Sequence, residues 1–229
     1  MRNIIKGRHL RFWGRYMAET LGLSVGAALL WFCCMLIGRG GYVTGSMTEE
    51  LLPLIPCFPY YLIVGSAMIA AIMGGTFLQT HFSILVSMTA TRKQSIFGIC
   101  AGTAAENVIV LVVCAAVWKM IPGDISASGR EVLPLLAGGM FVVTALFLLF
   151  GAVRVRWGNL GIILTTVLLM LMGGLAGMLF ALSDGRLIEK FLEATQGRAF
   201  LWVLLLGIVF YLAAGAAIWK ITCKAEVHT

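Results

Sequence analysis

Six long apolar runs, separated by short polar segments, dominate the pattern of this chain. Each run approaches the roughly 20 residues that an α-helix needs to cross the hydrocarbon core of a bilayer. Because backbone polar groups in hydrocarbon must be hydrogen-bonded within the segment, such runs predict membrane-spanning helices. The predicted fold is all-α, a single transmembrane domain over residues 1–229, with a cytoplasmic tail at 222–229. The six predicted spans within its bundle (17–221) cover about residues 17–37, 54–78, 96–118, 132–153, 160–182 and 200–221.

The composition supports a membrane protein and excludes two other classes. Hydrophobic residues make up 60% of the chain and charged residues 12%, against about 45–50% and about 25% in soluble domains. An ordinary soluble enzyme is therefore excluded. A disordered chain is excluded as well, because disorder requires few apolar residues and a high charge.

The positions of the charges predict the orientation. The net charge is +7, but the basic residues lie in short segments between apolar runs, which indicates topology and not nucleic-acid binding. Seven of the ten acidic residues lie in the first, third and fifth loops. The positive-inside rule then places both termini in the cytoplasm. Eleven of the 17 cations lie on that side: Arg2, Lys6, Arg8, Arg11, Arg15, Arg92, Lys93, Arg154, Arg156, Lys220 and Lys224.

The first 17 residues form an amphipathic segment when they are wound at 100° per residue, and residues 1–16 of it make up the predicted elbow. An apolar side includes Ile5 and Met17, and cations occupy the opposite side. One interpretation is a positively charged anchor for the first span. The other is an interfacial elbow helix that lies on the membrane and bends into that span. The residues that define the elbow are Arg8, Arg11, Phe12, Trp13, Arg15 and Tyr16.

The second predicted cytoplasmic loop, residues 81–94, is unusually apolar. It keeps Ile84, Leu85, Val86 and Met88 before it reaches the sequence Thr-Arg-Lys-Gln at 91–94. The T-x-x-Q pattern is a capping box and predicts that a new helix starts there. An apolar ridge that ends in two cations favours docking into a groove of a cytoplasmic partner, with a simple interfacial turn as the alternative.

Glu106 is the acidic residue that lies well inside a predicted span. A carboxylate at mid-membrane costs on the order of 2.5 to 3.5 kcal/mol, so this side chain should face the bundle interior, a cavity or a partner subunit. Gly98, Gly102 and Glu106 are spaced by four, which places the carboxyl on a face suited to close helix packing. A transport path, a subunit interface and a hydrogen-bonded structural role all remain open at this point.

The sequence does not indicate independent catalysis. The chain has no G-x-x-x-x-G-K-[ST] phosphate loop and no H-E-x-x-H helix. A G-x-S-x-G sequence occurs at 22–26, but it lies inside the first predicted span, and no histidine lies in a predicted span to activate its serine. Its histidines, His9, His81 and His228, are too dispersed for a metal site. We therefore predict no catalytic, cofactor-binding or metal-binding residues, and no enzymatic activity of the chain on its own.

Together, the basic elbow, the six spans and the second loop resemble the permease subunits of type-2 ABC exporters, especially the small stand-alone permeases of Gram-positive bacteria. The resemblance covers nearly the whole chain. Its most specific points are Leu-Val-Ser-Met-Thr-Ala-Thr-Arg-Lys at 85–93, followed by Ile-Phe-Gly at 96–98, and the predicted fourth-loop turn Arg-Val-Arg-Trp-Gly at 154–158.

The resemblance implies a function and a set of partners. The chain would sit in the bacterial plasma membrane, pair with a second permease, and export a peptide, lipid or hydrophobic compound. Separate ABC ATPase subunits would bind ATP and Mg²⁺, while membrane lipid would surround the chain and nucleic acid would have no part. A coupling helix within residues 83–94 would enter a groove of the ATPase. The residues assigned to that coupling are Leu85, Met88, Thr91, Arg92, Lys93 and Gln94.

Two other classes remain as alternatives. A substrate-binding subunit of an energy-coupling-factor vitamin importer also has about this length and six spans. Such a subunit would dock to a membrane scaffold through small residues of its first helix, for which Gly22 and Gly26 are suited. A membrane scaffold or immunity protein without transport activity is the third class.

Overall fold

The computed structural model describes residues 2–40, 52–87, 92–121, 124–183 and 199–223, and these are helical apart from a bend at Ile121. A 3₁₀ helix, Leu52–Cys57, precedes the second α-helix. No strand occurs in these ranges, in agreement with the predicted all-α fold. The five α-helices are α1 (Arg2–Gly40), α2 (Phe58–Ser87), α3 (Arg92–Met120), α4 (Asp124–Ser183) and α5 (Ala199–Cys223).

Four helical segments are long and apolar enough to cross a membrane. They are Arg11–Ile37, Gln94–Met120, Val132–Gly161 and Leu201–Thr222. The chain is therefore a multi-pass membrane protein, and four of the six predicted spans coincide with such segments. The other two predicted spans, 54–78 and 160–182, fall within α2 and the second half of α4. That these two also cross the membrane, giving six spans, stays a prediction.

A sharp fold interrupts α4 at Gly158, whose φ of 55° and ψ of −130° are not helical. After this residue the chain turns so steeply that a Cβ atom on Gly161 would lie 2.8 Å from the Val153 carbonyl oxygen. In a straight helix two residues eight positions apart are about 12 Å apart. The predicted fourth-loop turn is thus helical through Trp157, and a single glycine makes the corner.

Contacts between α1 and α3 show that these helices run in the same direction. Trp13 of α1 lies against Gly98 of α3. Further along both helices, the Ser24 hydroxyl donates to the Glu106 carboxyl. The two helices therefore begin at the same end of the bundle.

α2, the first half of α4 and α5 run opposite to α3, and the second half of α4 turns back after Gly158. Trp118, near the end of α3, donates to the Pro56 carbonyl just before α2 and lies against Gly129 near the start of α4. At the other end, Ile218 of α5 shares an apolar cluster with Ile96 of α3. Helix directions therefore alternate as successive crossings require, and α5 ends where α1 begins.

Two apolar clusters form the core, one at each end of the bundle. The first contains Tyr16, Ile96, Leu148 and Ile218. It lies beside the basic segments around Arg11, Arg92, Arg154 and Lys220, so we call this end the basic end. The second cluster surrounds Trp118 and lies at the far end, where its members are Ala28, Leu62, Ile63, Val110, Cys114, Trp118 and Met140.

Two predicted boundaries differ from the structure. The elbow does not form a separate helix, because α1 is continuous from Arg2 to Gly40. Its aromatic side chains pack on the bundle: Tyr16 is buried, and Trp13 is partly buried against the same cluster. The predicted second loop is also shorter, since residues 81–87 belong to α2. Its apolar residues at 84–86 continue the apolar sequence of α2, which favours further helix.

The backbone at Gly158 generates a prediction about stability. A side chain is strained at this φ and ψ, and such strain costs of order 1–3 kcal/mol. We expect Gly158→Ala to lower the free energy of unfolding by about that amount, measured by denaturant titration in detergent micelles. Gly139→Ala is the matched control in the same helix, because its Cβ would meet no atom within 4 Å. Equal stability of the two variants would contradict the conformation assigned to Gly158.

Candidate functional site

The candidate site is a layer of buried polar side chains between the two apolar clusters. Its centre is α3, which packs against each of the other four α-helices of the described chain. Three polar residues on α3 point to three different neighbours, because their spacing of three and one places them around one side of the helix. They are Thr103, Glu106 and Asn107, and all three are buried.

Glu106 connects α3 to α1. Its side chain is only 1% exposed, and its Oε1 lies 3.2 Å from the Ser24 hydroxyl. The Thr20 hydroxyl, one turn earlier on α1, is also buried and donates to the Tyr16 carbonyl of its own helix. The structure therefore places the predicted carboxyl in the bundle interior, in contact with the Ser24 hydroxyl.

Hydrogen-bond accounting restricts the chemistry of this contact. The Ser24 hydroxyl has one proton and two acceptors in reach, the Thr20 carbonyl oxygen at 2.8 Å and the Glu106 Oε1 at 3.2 Å. It donates to one of them at a time. When it donates to the carbonyl, only a proton on the carboxyl can complete the contact with Glu106. A neutral carboxyl thus fits this site with both hydrogen bonds formed at once.

Thr103 connects α3 to α5. Its hydroxyl lies 2.6 Å from the Tyr211 hydroxyl, which in turn donates to the Cys100 carbonyl oxygen at 2.6 Å. The one proton of the Thr103 hydroxyl can go either to the Tyr211 oxygen or to the Ile99 carbonyl within α3, which lies 2.9 Å away. The phenol of Tyr211 packs edge to face on Phe141 of α4. A polar contact and an aromatic contact therefore hold α5 on two neighbouring helices.

Asn107 connects α3 to α4. Its Nδ2 donates to the Thr144 hydroxyl at 3.2 Å, and Thr144 donates to the Met140 carbonyl at 2.8 Å. Because the Thr144 proton is already used, Thr144 can only accept from Asn107, which fixes the orientation of the amide. The Asn107 Oδ1 is left without a donor among the described residues. A buried acceptor of this kind needs a donor from a water or from another molecule.

A second contact lies between the polar layer and the basic end. The indole of Trp13 sits so close to Gly98 that a Cβ atom there would lie 2.5 Å from its Cε2. A Cβ atom on Gly102, one turn later, would lie 3.8 Å from the same ring. The predicted glycine stripe of α3 is therefore the surface that receives the elbow of α1.

The predicted coupling residues are distributed around the α2–α3 connection. Leu85 belongs to the last turn of α2. Arg92 and Lys93 are the first two residues of α3, and Gln94, which follows them, is exposed. Met88 and Thr91 lie outside the described residues. α3 begins at Arg92, and the capping box at 91–94 stays a prediction because Thr91 lies outside the described residues.

The elbow residues are divided between two surfaces of α1. Arg11 and Arg15 are exposed, and Arg15 donates to Glu19 at 2.8 Å. Phe12, Trp13 and Tyr16 pack on the basic-end cluster. The side chain of Arg8 lies outside the described part of the chain. Among the described side chains of this segment, the cations are thus exposed and the aromatic rings face the bundle.

Sequence reasoning found Glu106 but missed most of its surroundings. Polar residues at 103, 106 and 107 within an apolar run form a signal that was available on α3. The partners on other helices gave no comparable signal, because isolated hydroxyls are common in membrane helices and often bond to their own backbone. The missed residues are Thr20, Ser24, Thr103, Asn107, Thr144 and Tyr211.

Comparisons with known proteins give no match. No protein-family model matches the chain, and no curated protein and no solved structure is significantly similar to it.

The buried contact of Glu106 predicts a difference between two substitutions. Glu106→Gln keeps the volume and a donor toward Ser24, so we expect the free energy of unfolding to change by less than about 1 kcal/mol. Glu106→Ala leaves a cavity and should cost about 2–4 kcal/mol. Both values are measured by unfolding in detergent micelles. Glu19→Ala is the control, since it removes a carboxyl from an exposed ion pair. A Glu106→Ala loss no larger than that of the control would contradict the interior contact.

Proposed function

We propose that the chain is the permease subunit of an ATP-driven ABC exporter, coupled to a separate ATPase through the connection between α2 and α3. The observation that carries this proposal is the close packing of the Trp13 ring against Gly98. Gly98 lies four residues after Gln94 in α3. This packing joins α1 directly to the helix that begins at the connection. A force applied to that connection is therefore transmitted to both helices at once.

The polar layer would transmit a displacement of α3 to the other helices of the bundle. Displacement of α3 acts on α1 through Glu106, on α5 through Thr103 and on α4 through Asn107. Because one or two side-chain hydrogen bonds join α3 to each of these helices in the polar layer, the helices can shift between two packed arrangements. ATP-driven closure of an ATPase pair would supply the energy difference between these arrangements.

Charge supports an ATPase partner at the basic end. Arg92 and Lys93 open α3, and the exposed Arg11 and Arg15 lie on α1 at the same end. Acidic or polar groups of a cytoplasmic partner complement such a surface. We assign the coupling role to the connection and its flanks, with Leu85, Met88, Thr91, Arg92, Lys93 and Gln94 as the contacting residues. ATP and Mg²⁺ would be bound by the partner alone.

The second permease and the substrate belong to the same proposal. Large apolar side chains cover the outer surfaces of α5 and of the second half of α4, including Leu160, Ile163, Met170 and Leu206. Such surfaces suit either lipid or a second copy of the bundle. The chain would act as a dimer in the bacterial plasma membrane with both termini in the cytoplasm, and would export a peptide, lipid or other hydrophobic compound.

One observation favours the energy-coupling-factor alternative. Gly22 and Gly26 are exposed on α1, and a Cβ atom at either position would meet nothing within 4 Å. Small residues spaced by four on an open helix face allow another membrane helix to approach closely. A substrate-binding subunit would use this face to dock to its membrane scaffold. Recovery of a stable monomer with a bound vitamin would establish this alternative and exclude the exporter.

The coupling assignment predicts the behaviour of two variants. The chain is co-expressed with the ABC ATPase encoded beside it. We expect Met88→Ala combined with Arg92→Ala to lower the stimulation of ATP hydrolysis by about tenfold, the effect of roughly 1.4 kcal/mol of lost interaction. Membrane insertion should not change. Stimulation is measured as ATP hydrolysis by the complex in vesicles, and the complex itself by detergent pull-down.

A matched control is available at the far end of the same helix. Lys119 and the exposed Met120 also combine a cation with a methionine, and Lys119→Ala with Met120→Ala should leave stimulation unchanged. Equal loss in both double variants would argue against coupling at the α2–α3 connection. Failure to recover any ATPase complex from the unmodified chain would argue against the exporter itself.

The position of Glu106 predicts how transport responds to pH. Because a neutral carboxyl satisfies the contact with Ser24, we expect Glu106→Gln to export a fluorescent hydrophobic dye at the wild-type rate from mildly acidic to mildly alkaline pH. Glu106→Ala should lose export along with bundle stability. A Glu106→Gln variant that folds normally but loses export, or loses its pH dependence, would place an ionised Glu106 in the transport path.

A further inference from the structure

A groove of about 410 Å³ lies on the outer surface of the bundle between α1 and α3. Its floor is made by small residues of α3, Gly98, Ala101 and Ala105. Trp13 and Met17 of α1 form one wall. Since the lining is almost wholly apolar and the groove opens outward from membrane-spanning segments, hydrocarbon is the material that fills it.

The groove has the length of one lipid leaflet. It extends along α3 from Gln94 to Ala105, which is roughly 17 Å at the rise of an α-helix. The hydrocarbon core of a bilayer is about 30 Å thick, so one leaflet contributes about 15 Å. Phe97, with 70% of its side chain exposed, stands beside the floor near the basic end. A single acyl chain therefore fits along the groove from the interface to the middle of the membrane.

Cations flank the end of the groove at Gln94. Gln94 ends the lining, and Arg92 and Lys93 come directly before it at the N-terminus of α3. Residues 2–11 of α1, with Arg2, Lys6, Arg8 and Arg11, belong to the same end of the bundle. Cations close to a membrane surface attract anionic headgroups, by about 1 kcal/mol each. The far end of the groove, at Ala105, adjoins the interior of the bundle and carries no cation in its lining.

From the groove and its charged end, we infer that one anionic phospholipid binds here, with an acyl chain between Trp13 and Phe97 and its headgroup at the start of α3. The ligand class is a glycerophospholipid with net negative charge, such as phosphatidylglycerol, from the leaflet at the basic end. The site joins α1 to the helix that follows the α2–α3 connection, so its occupancy stabilises the seat of Trp13 on Gly98. This inference needs only the membrane-spanning bundle and is independent of the exporter proposal.

Trp13 itself provides the probe for this site. In a variant with Trp31, Trp157, Trp202 and Trp219 changed to Phe, the remaining indoles are Trp13 and the buried Trp118. The full-length variant is reconstituted in phosphatidylcholine vesicles that contain brominated phosphatidylglycerol or brominated phosphatidylcholine, because bromine quenches an indole that it contacts. We expect half-maximal quenching at an about fivefold lower fraction of the anionic lipid, the preference that one nearby cation provides.

Three variants make the result specific. Ala101→Leu fills the groove and should abolish the preference, and Ala105→Leu repeats this at a second position in case the first variant does not fold. Arg92→Gln combined with Lys93→Gln should reduce the preference while total quenching persists. The matched control retains Trp31 and has Trp13 changed to Phe. Because Trp31 is exposed on α1 toward the far end, its fluorescence should be quenched equally by both lipids.

Three results would contradict the inferred lipid site. Equal quenching of Trp13 by the two lipids would show ordinary annular lipid and overturn the inference. A preference that survives both groove-filling variants would place the anionic lipid elsewhere. Absence of quenching by either lipid would show that a protein surface, such as a second copy of the chain, covers the groove, and would also overturn it.

Discussion

The need to satisfy polar groups away from water is the constraint on which this bundle depends. In hydrocarbon the backbone bonds within each helix, so the helices themselves follow from composition. Side chains face the same demand, and on α3 the residues Thr103, Glu106 and Asn107 find partners on three other helices. Of their polar atoms, the Asn107 Oδ1 has no donor among the described residues. The polar layer therefore decides which helices surround α3, while apolar contacts alone would allow many arrangements of similar energy.

Close approach of small residues completes what the polar layer begins. Gly138 and Gly207 bring α4 and α5 into backbone contact, since a Cβ on Gly207 would lie 2.6 Å from the Gly138 carbonyl oxygen. Gly98 receives Trp13 in the same way. Dispersion contacts at such short helix separations stabilise a bundle that has no hydrophobic effect between its helices. Polar contacts thus specify the neighbours, and glycines allow those neighbours to come close.

The two ends of the bundle carry different roles in the proposed exporter. Cations, the α2–α3 connection and the elbow of α1 meet at the basic end, where a cytoplasmic partner and an anionic lipid would both bind. At the far end, the indole of Trp118 donates to the Pro56 carbonyl and joins the end of α3 to the start of α2. In the proposed exporter, the ATPase would act on the basic end while the Trp118 contact holds the far end. The helices would then tilt about the polar layer between the two ends.

Composition and hydropathy were sufficient to predict a helical membrane protein, because the penalty for unbonded backbone in hydrocarbon leaves little choice of structure. The carboxyl of Glu106 was predicted to face inward for the same energetic reason. The sequence did not reveal that α1 runs unbroken through the elbow, that α2 continues to Ser87, or that Ser24, Thr144 and Tyr211 complete the polar layer. Those features depend on which helix faces meet, and residues far apart in the chain meet only through tertiary packing.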